Sequence, residues 1–283
     1  MYENREIRYP FTRQIMFAKV MEDPELCKEF IQRIFTKKQV KEVVVHNEGI
    51  VTTEATLIPG VYSKTVRLDV LFHDEAGWYN IEMQVAKEDD LPQRGRYYSS
   101  AIDIAHMKPG QPYGDLKNSF VIFICRFDYY GRNEAVYTFE RFDKKLQLPY
   151  SDGSYIILLN TVCSDEKVPE ELHSLFNYIN NEQVEPDDWF VEKIHQEVLR
   201  YQSDEEVEQV ATLEEEYMKK ITKAERQGLA EGLEKGLAEG AATMQQRLNK
   251  LTTLLIESGR LDDLRKSAED AAFQQHLLDE LGL

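Results

Sequence analysis

The stretch R-L-D-V-L-F-H-D-E-A-G-W-Y-N-I-E-M-Q-V, Arg67 to Val85, decides how this chain is read. Residues 66–73 alternate and are rich in Val, Leu and Phe, and residues 78–85 again carry aromatic and aliphatic side chains at alternate places. Asp74-Glu75-Ala76-Gly77 between them supplies turn formers. The pattern predicts two short β-strands joined in a hairpin. With the turn symmetric about Glu75 and Ala76, His73 faces Trp78 and Asp69 faces Glu82. Two carboxylates so placed stand roughly 4.5–5.5 Å apart at Cβ and repel one another. A shared proton, a nearby cation or a bound divalent metal relieves that repulsion. Gln84 falls on the same strand face as Glu82, because side chains alternate with period two. The hairpin thus presents Asp69, Glu82 and Gln84 as one polar cluster in an otherwise apolar sheet. The alternative is an ordinary solvated face with the acids splayed apart, and a three-residue loop would shift the register and undo the pairing.

Composition bounds the setting of this hairpin. At 283 residues the chain can bury a sizeable core, as one large domain or as a domain with an extension, and its 42% apolar content is that of a soluble globular protein. Apolar runs are short, with Val121-Ile122-Phe123-Ile124-Cys125 typical, so no membrane span is expected. The first ten residues are charged and lack the apolar centre of a secretory leader, which points to the cytoplasm. Cys27, Cys125 and Cys163 are far apart and form no C-x-x-C, so they are expected to be small buried residues rather than disulfide or zinc-ribbon partners. The six histidines form no H-x-x-x-H pair. The formal charge of −17 is unevenly spread: residues 1–150 hold 21 Lys+Arg against 22 Asp+Glu, and the acidity lies in the C-terminal half. A polyanionic partner for the N-terminal half is therefore compatible with the sequence, although no long basic stripe demands one.

Around the hairpin the elements follow in order. Residues 10–35 read as two helices, the first capped by Thr12 and carrying Ile15, Met16, Val20 and Met21, the second opened by Asp23-Pro24. Glu22, Glu25 and Glu29 form the polar side, expected in solvent, with the alternative that one turns toward the cluster. K-E-V-V-V-H and T-E-A-T-L-I within residues 40–58 predict strands. Beyond the hairpin, Leu91-Pro92 starts a helix that ends at Lys108-Pro109-Gly110 and puts Arg94, Arg96, Tyr97 and Tyr98 just past Glu82 and Gln84. Arginine and tyrosine beside a carboxylate cluster can hold a phosphate backbone and stack on bases, or equally pack on the sheet and face solvent. S-F-V-I-F-I-C-R-F, from Ser119, predicts a strand buried on both faces, with A-V-Y-T-F-E-R-F and Y-I-I-L-L-N-T as further strands. From Val168 onward acidic amphipathic helices are expected to wrap the sheet or pair with another subunit. Q-G-L-A-E-G-L-E-K-G-L-A-E-G, Gln227 to Gly240, repeats glycine every fourth residue. Each glycine costs a helix about 1 kcal/mol against alanine. Close approach of two helices would justify that cost, and a loosely held linker would avoid it. The interleaved Glu and Lys exclude a membrane glycine motif.

R-L-D-V at 67–70, Y-N-I-E-M-Q at 79–84, L-P-Q-R-G-R-Y-Y at 91–98, M-E-D-P-E at 21–25 and V-I-F-I-C-R-F-D at 121–128 resemble the Rpn family of recombination-promoting nucleases, also described as putative transposases, within the PD-(D/E)XK superfamily. The resemblance spans about residues 10–220. It implies a restriction-endonuclease-like α/β fold, a mixed β-sheet flanked by helices, as a domain over residues 1–200. Residues 201–283 then form an acidic helical tail that carries the glycine repeat; its apolar faces predict self-association through residues 205–283, with a low-complexity segment without chemistry as the alternative. The resemblance implies a metal-dependent DNA endonuclease acting in recombination or on mobile DNA, with Asp69, Glu82 and Gln84 as the catalytic set. Asp69, Glu82 and the backbone carbonyl of Met83 would hold Mg²⁺, with Mn²⁺ as a substitute, and Arg94, Arg96, Tyr97 and Tyr98 would meet DNA. Gln84 stands where the superfamily's E-x-K motif has lysine, so the help a lysine gives the attacking water is weaker or comes from elsewhere. No first-helix glutamate is identified for a second metal. The alternative is a catalytically silent binding or assembly protein on the nuclease fold.

Overall fold

A computed structural model describes residues 7–38, 40–46, 50–51 and 66–283. The chain divides into two compact units, Met1–Thr212 and Leu213–Leu283. The first opens with α1 (Gln14–Val20) and α2 (Pro24–Ile34), followed by β1 (Val44–His46), β2 (Ile50–Val51), β3 (Val66–Arg67), β4 (Val70–His73) and β5 (Gly77–Gln84). Then come α3 (Leu91–His106), β6 (Asn118–Cys125), β7 (Val136–Phe139), β8 (Ser154–Asn160), α4 (His173–Asn181) and α5 (Trp189–Tyr201). Helix α6 (Glu205–Glu257) starts in the first unit and ends in the second, which α7 (Leu261–Glu269) and α8 (Ala271–Glu280) complete.

Among the described residues, six strands form one mixed sheet in the order β1-β4-β5-β6-β8-β7. Strands β5, β6 and β8 run parallel, while β1–β4, β4–β5 and β7–β8 are antiparallel. Strand β6 is apolar from Phe120 to Cys125, where both faces are covered. On one face Tyr79, Ile81, Met83, Ile122 and Ile124 pack with α1, α2, α4 and α5 through Phe17, Phe30, Phe176 and Phe190. On the other, Leu71, Val121, Phe123 and Leu158 pack with Leu91, Ala101 and Ile102 of α3. Gly95 lets α3 lie against the sheet, since a Cβ there would meet Ile156 Cδ1 at 2.9 Å and Phe123 Cε2 at 3.3 Å. The acidic helices of the first unit thus wrap the sheet, and the layering is that of the restriction-endonuclease-like α/β fold expected from the sequence.

The hairpin has the expected turn and register. His73 pairs with Trp78, Phe72 with Tyr79 and Val70 with Ile81. Asp74 Oδ1 accepts the backbone N–H groups of Ala76 and Gly77 at 2.8 and 2.9 Å, which closes the turn locally. The strand expected over residues 66–73 is instead interrupted at Leu68-Asp69: β3 pairs with β2 as a separate ribbon and β4 belongs to the main sheet. The interruption takes Asp69 out of the ladder and frees its backbone N–H for a side chain. The first helix is also corrected, because Arg13, not Thr12, takes the capping position without a side-chain cap. A turn through Arg13 N–H donating to Pro10 O at 2.9 Å delays the helix by one residue. Asp23 caps α2 as expected, accepting from Glu25 N at 2.8 Å. Strand β7 is shorter than A-V-Y-T-F-E-R-F and lies at the sheet edge, where Phe139 is already exposed. The predicted T-E-A-T-L-I strand lies outside the described residues. Cys27, Cys125 and Cys163 are buried free thiols.

In the second unit Leu251, Leu255, Leu277 and Leu278 form a small core. The glycine repeat lies within α6, and a Cβ on Gly228, Gly232, Gly236 or Gly240 would touch nothing within 4 Å. Among the described residues of the second unit, these glycines serve no close approach. No helix among the described residues is long and apolar enough to cross a membrane.

Candidate active site

Strand β5 carries Asn80, Glu82 and Gln84 on the face that looks toward α3, because their ladder partners on β6, Val121, Phe123 and Cys125, belong to that side's core. Glu82 is only 2% exposed and Asn80 is fully buried. Asp69 reaches the same place from the strand interruption. Its backbone N–H donates to Glu82 Oε1 at 3.1 Å, and its Oδ2 accepts from the Met83 backbone N–H at 3.2 Å. Glu82 is thereby locked to the Asp69 backbone and Asp69 to the backbone of Met83, so that Asp69, Glu82 and Met83 converge on one point of the hairpin.

Asn80 Nδ2 donates to the same Glu82 Oε1 at 2.9 Å. Gln14, from the first turn of α1, donates its side-chain amide to Asp69 Oδ1. Asn80 lies within Y-N-I-E-M-Q, at a position to which the motif assigns no role, and Gln14 lies in no motif. Asn80 could have been found as the next position on the Glu82 strand face, but a contact made 55 residues away by Gln14 leaves no local signal. Glu22, Glu25 and Glu29 pair instead with Lys19, Lys193 and Arg33.

Helix α3 returns over the end of β5, and its inward positions include Leu91, Gly95, Ser99 and Ile102. Arg94 lies on this side. Its Nη1 donates to Gln84 Oε1 at 3.0 Å and to Glu88 Oε2 at 2.8 Å, while Nη2 lies 3.3 Å from Tyr98 Oη and 3.8 Å from Glu82 Oε2. Of the four residues expected to meet DNA, Arg94 and Tyr98 thus sit beside the carboxylates. Arg96 and Tyr97 occupy the exposed face of α3.

Burial first, and the Asp69 charge second, push the Glu82 carboxyl up to about 8, against the pull of the Asn80 and Asp69 hydrogen bonds and of Arg94. A shared proton or a bound cation would relieve the repulsion between the two acids. The donor set suits a hard divalent ion, since two carboxylates and the Met83 carbonyl offer oxygen alone, beside an Asn80 Oδ1 that is buried without a hydrogen-bond partner. Among the described residues no group of three or more His, Cys, Asp or Glu side chains is gathered to hold a metal. An ion here would rest on the two acids, a carbonyl and retained waters, a coordination that Mg²⁺ accepts.

A helix-flanked mixed sheet with an aspartate and a glutamate joined at a hairpin defines a nuclease-fold protein of the restriction-endonuclease type. Residues 9–229 match the PD-(D/E)XK nuclease family transposase pattern, and the chain belongs to that family. No curated protein and no solved structure matches the chain. Family membership supports a nuclease or transposase-like function, DNA as the class of substrate and the divalent metal that such nucleases generally use.

Proposed function

We propose that this protein is a metal-dependent DNA endonuclease that hydrolyses phosphodiester bonds in recombination or mobile-DNA transactions. In this reading residues 1–200 are the nuclease domain and residues 201–283 a helical tail that joins copies of the chain, acting in the cytoplasm. The observation that carries it is the reciprocal clasp of Asp69 and Glu82, in which each acid is fixed by the other's stretch of backbone. Asp69, Glu82 and the Met83 carbonyl hold Mg²⁺, or Mn²⁺ in its place. The bound ion supplies Lewis acidity, acidifying a water and offsetting charge on the scissile phosphate.

The chain's own side chains do the rest. Gln84 Oε1 accepts from Arg94 Nη1, which leaves the Gln84 amide N–H groups to orient a water or a phosphate oxygen. Gln84 cannot supply positive charge, and Arg94, next to both Gln84 and Glu82, provides it. Arg96 and Tyr97 on the exposed face of α3 contact the DNA backbone and its bases, while Tyr98 holds Arg94 in place. A competing reading, a catalytically silent binding or assembly protein, draws on the neutral Gln84 and on Leu229, Leu233 and Leu237, which are exposed along the glycine repeat.

Nicking of supercoiled plasmid with Mg²⁺ or Mn²⁺ separates the two. Wild type is expected to cut, and Asp69→Ala and Glu82→Ala each to lose roughly a hundredfold or more in rate, since removing a ligand costs no less than removing a residue that orients one. Equal cutting by all three overturns the site. No cutting by wild type on supercoiled, linear and single-stranded DNA favours the silent protein.

A further inference from the structure

Asn80 stands in the middle of β5 with no exposed surface, paired with Leu71 on β4 and Val121 on β6. Both neighbours belong to the apolar core under α3. A carboxamide is a costly choice there, because its polar atoms leave water and must be satisfied within the protein. Its Nδ2 is satisfied by Glu82 Oε1 at 2.9 Å, yet its Oδ1 is buried with no hydrogen-bond partner. A leucine of similar volume would fill the position without that penalty. What the amide adds is a second donor on Glu82 Oε1, which also receives the Asp69 backbone N–H at 3.1 Å. Two donors on Oε1, one from the same strand face and one from the strand interruption, fix the rotation of the carboxylate. Oε2 is then turned toward Arg94, 3.8 Å away.

We infer that Asn80 is a positioning residue of this site: it pins Glu82 Oε1 so that Oε2 is the oxygen presented to a divalent cation. The inference rests on the nuclease reading above and divides the labour within one carboxylate, Oε1 for orientation and Oε2 for the ion. Residues that orient a ligand in this way typically contribute roughly 10–100-fold to metal affinity or activity.

The test uses the full-length protein with three readouts: Mn²⁺ affinity by calorimetry, kcat and KM in plasmid nicking, and the thermal unfolding midpoint. Asn80→Leu removes the donor together with the unpaired carbonyl. It is expected to unfold at or above the wild-type temperature, to bind Mn²⁺ roughly 10–100-fold more weakly and to lose kcat by a similar factor, with KM for DNA unchanged. Asn80→Ser, which keeps a shorter donor, is expected to fall between the two. If the leucine variant does not fold, the serine variant carries the test alone. Wild-type Mn²⁺ affinity and kcat in a folded Asn80→Leu, or in Asn80→Ser when that is the only folded variant, overturn the inference while leaving the nuclease reading intact. Wild type that binds Mn²⁺ without cutting overturns the nuclease reading, and weakened Mn²⁺ binding by Asn80→Leu then still upholds the positioning role. Wild type that neither binds nor cuts overturns both.

Discussion

Arg94 is the residue on which the charge balance of the hairpin turns. One guanidinium nitrogen is shared between Gln84, inside the cluster, and Glu88, whose side chain is 58% exposed at the rim. A DNA phosphate that approaches Arg94 must compete with Glu88 for the same donor. An ion pair with one exposed partner contributes about 1 kcal/mol or less, so the competition is winnable. Glu88→Gln is expected to tighten DNA binding about two- to fivefold at low salt, and the gain is expected to shrink as salt screens the rim charge. Fluorescence anisotropy with a labelled duplex across a salt series checks this, and an affinity equal to wild type at low salt would show that Glu88 does not hold Arg94 back. The same residue answers the difficulty raised by Gln84. A lysine at that position would place its charge on β5 itself, whereas here the cation comes from α3 and reaches the carbonyl of the glutamine at 3.0 Å.

Among the elements, α5 shows how the helices that carry no site residue still hold the sheet. Asp188 caps α5 by accepting from Phe190 N and Val191 N, and it also binds Arg33 of α2 through both carboxylate oxygens at 2.7 and 2.8 Å. Burial raises the Asp188 carboxyl, but the Arg33 and Ser174 hydrogen bonds and the Arg33 charge outweigh it and hold the group below its ordinary range. A depressed carboxylate lends stability above its unfolded pKa of about 3.9 and loses it as pH falls through the folded value. Asp188→Ala is therefore expected to cost roughly 3 kcal/mol at neutral pH, by removing the bidentate partner of Arg33 and the cap of α5, and to flatten the acid limb of stability below about pH 4. Urea unfolding between pH 2 and 7 measures both effects, and an unchanged acid limb would refute the assignment. Such a tie was not legible in the sequence, because Arg33 and Asp188 are 155 residues apart. What was legible is local. Period-two alternation and the Asp74–Gly77 turn gave the register that sets Val70 against Ile81 and His73 against Trp78. The same alternation placed Glu82 and Gln84 on one face. The interruption at Leu68-Asp69 was hidden, since the residues alternate through it and only pairing with β2 on one side and β5 on the other separates the two halves.

At the scale of the whole molecule the chain separates a nearly neutral half from an acidic one: 21 Lys+Arg against 22 Asp+Glu in residues 1–150, out of a total charge of −17. DNA is expected to meet the first half, and the tail needs another purpose. Its long helix carries four glycines at about 1 kcal/mol each, with no neighbour among the described residues of the second unit to justify them. Leu229, Leu233 and Leu237 run alongside, 76%, 64% and 67% exposed. Burying each against a second copy would contribute roughly 1.5–3 kcal/mol, enough to offset the glycines. A four-residue period exceeds the 3.6 residues of a helical turn, so the stripe winds steeply and suits a short crossing of the i±4 ridge class rather than an extended coiled coil. Removing residues 225–283 is thus expected to reduce the protein to a monomer in sedimentation. The core of the sheet lies upstream of the cut, with Val207 and Ala211 its last members, so the shortened chain should keep its fold and its circular dichroism in the strand region. Leu229→Ser, Leu233→Ser and Leu237→Ser combined in the full chain should have the same effect on mass without any truncation. If both proteins retain the wild-type mass, the stripe does not join copies, and its leucines must be accounted for by a partner other than this chain.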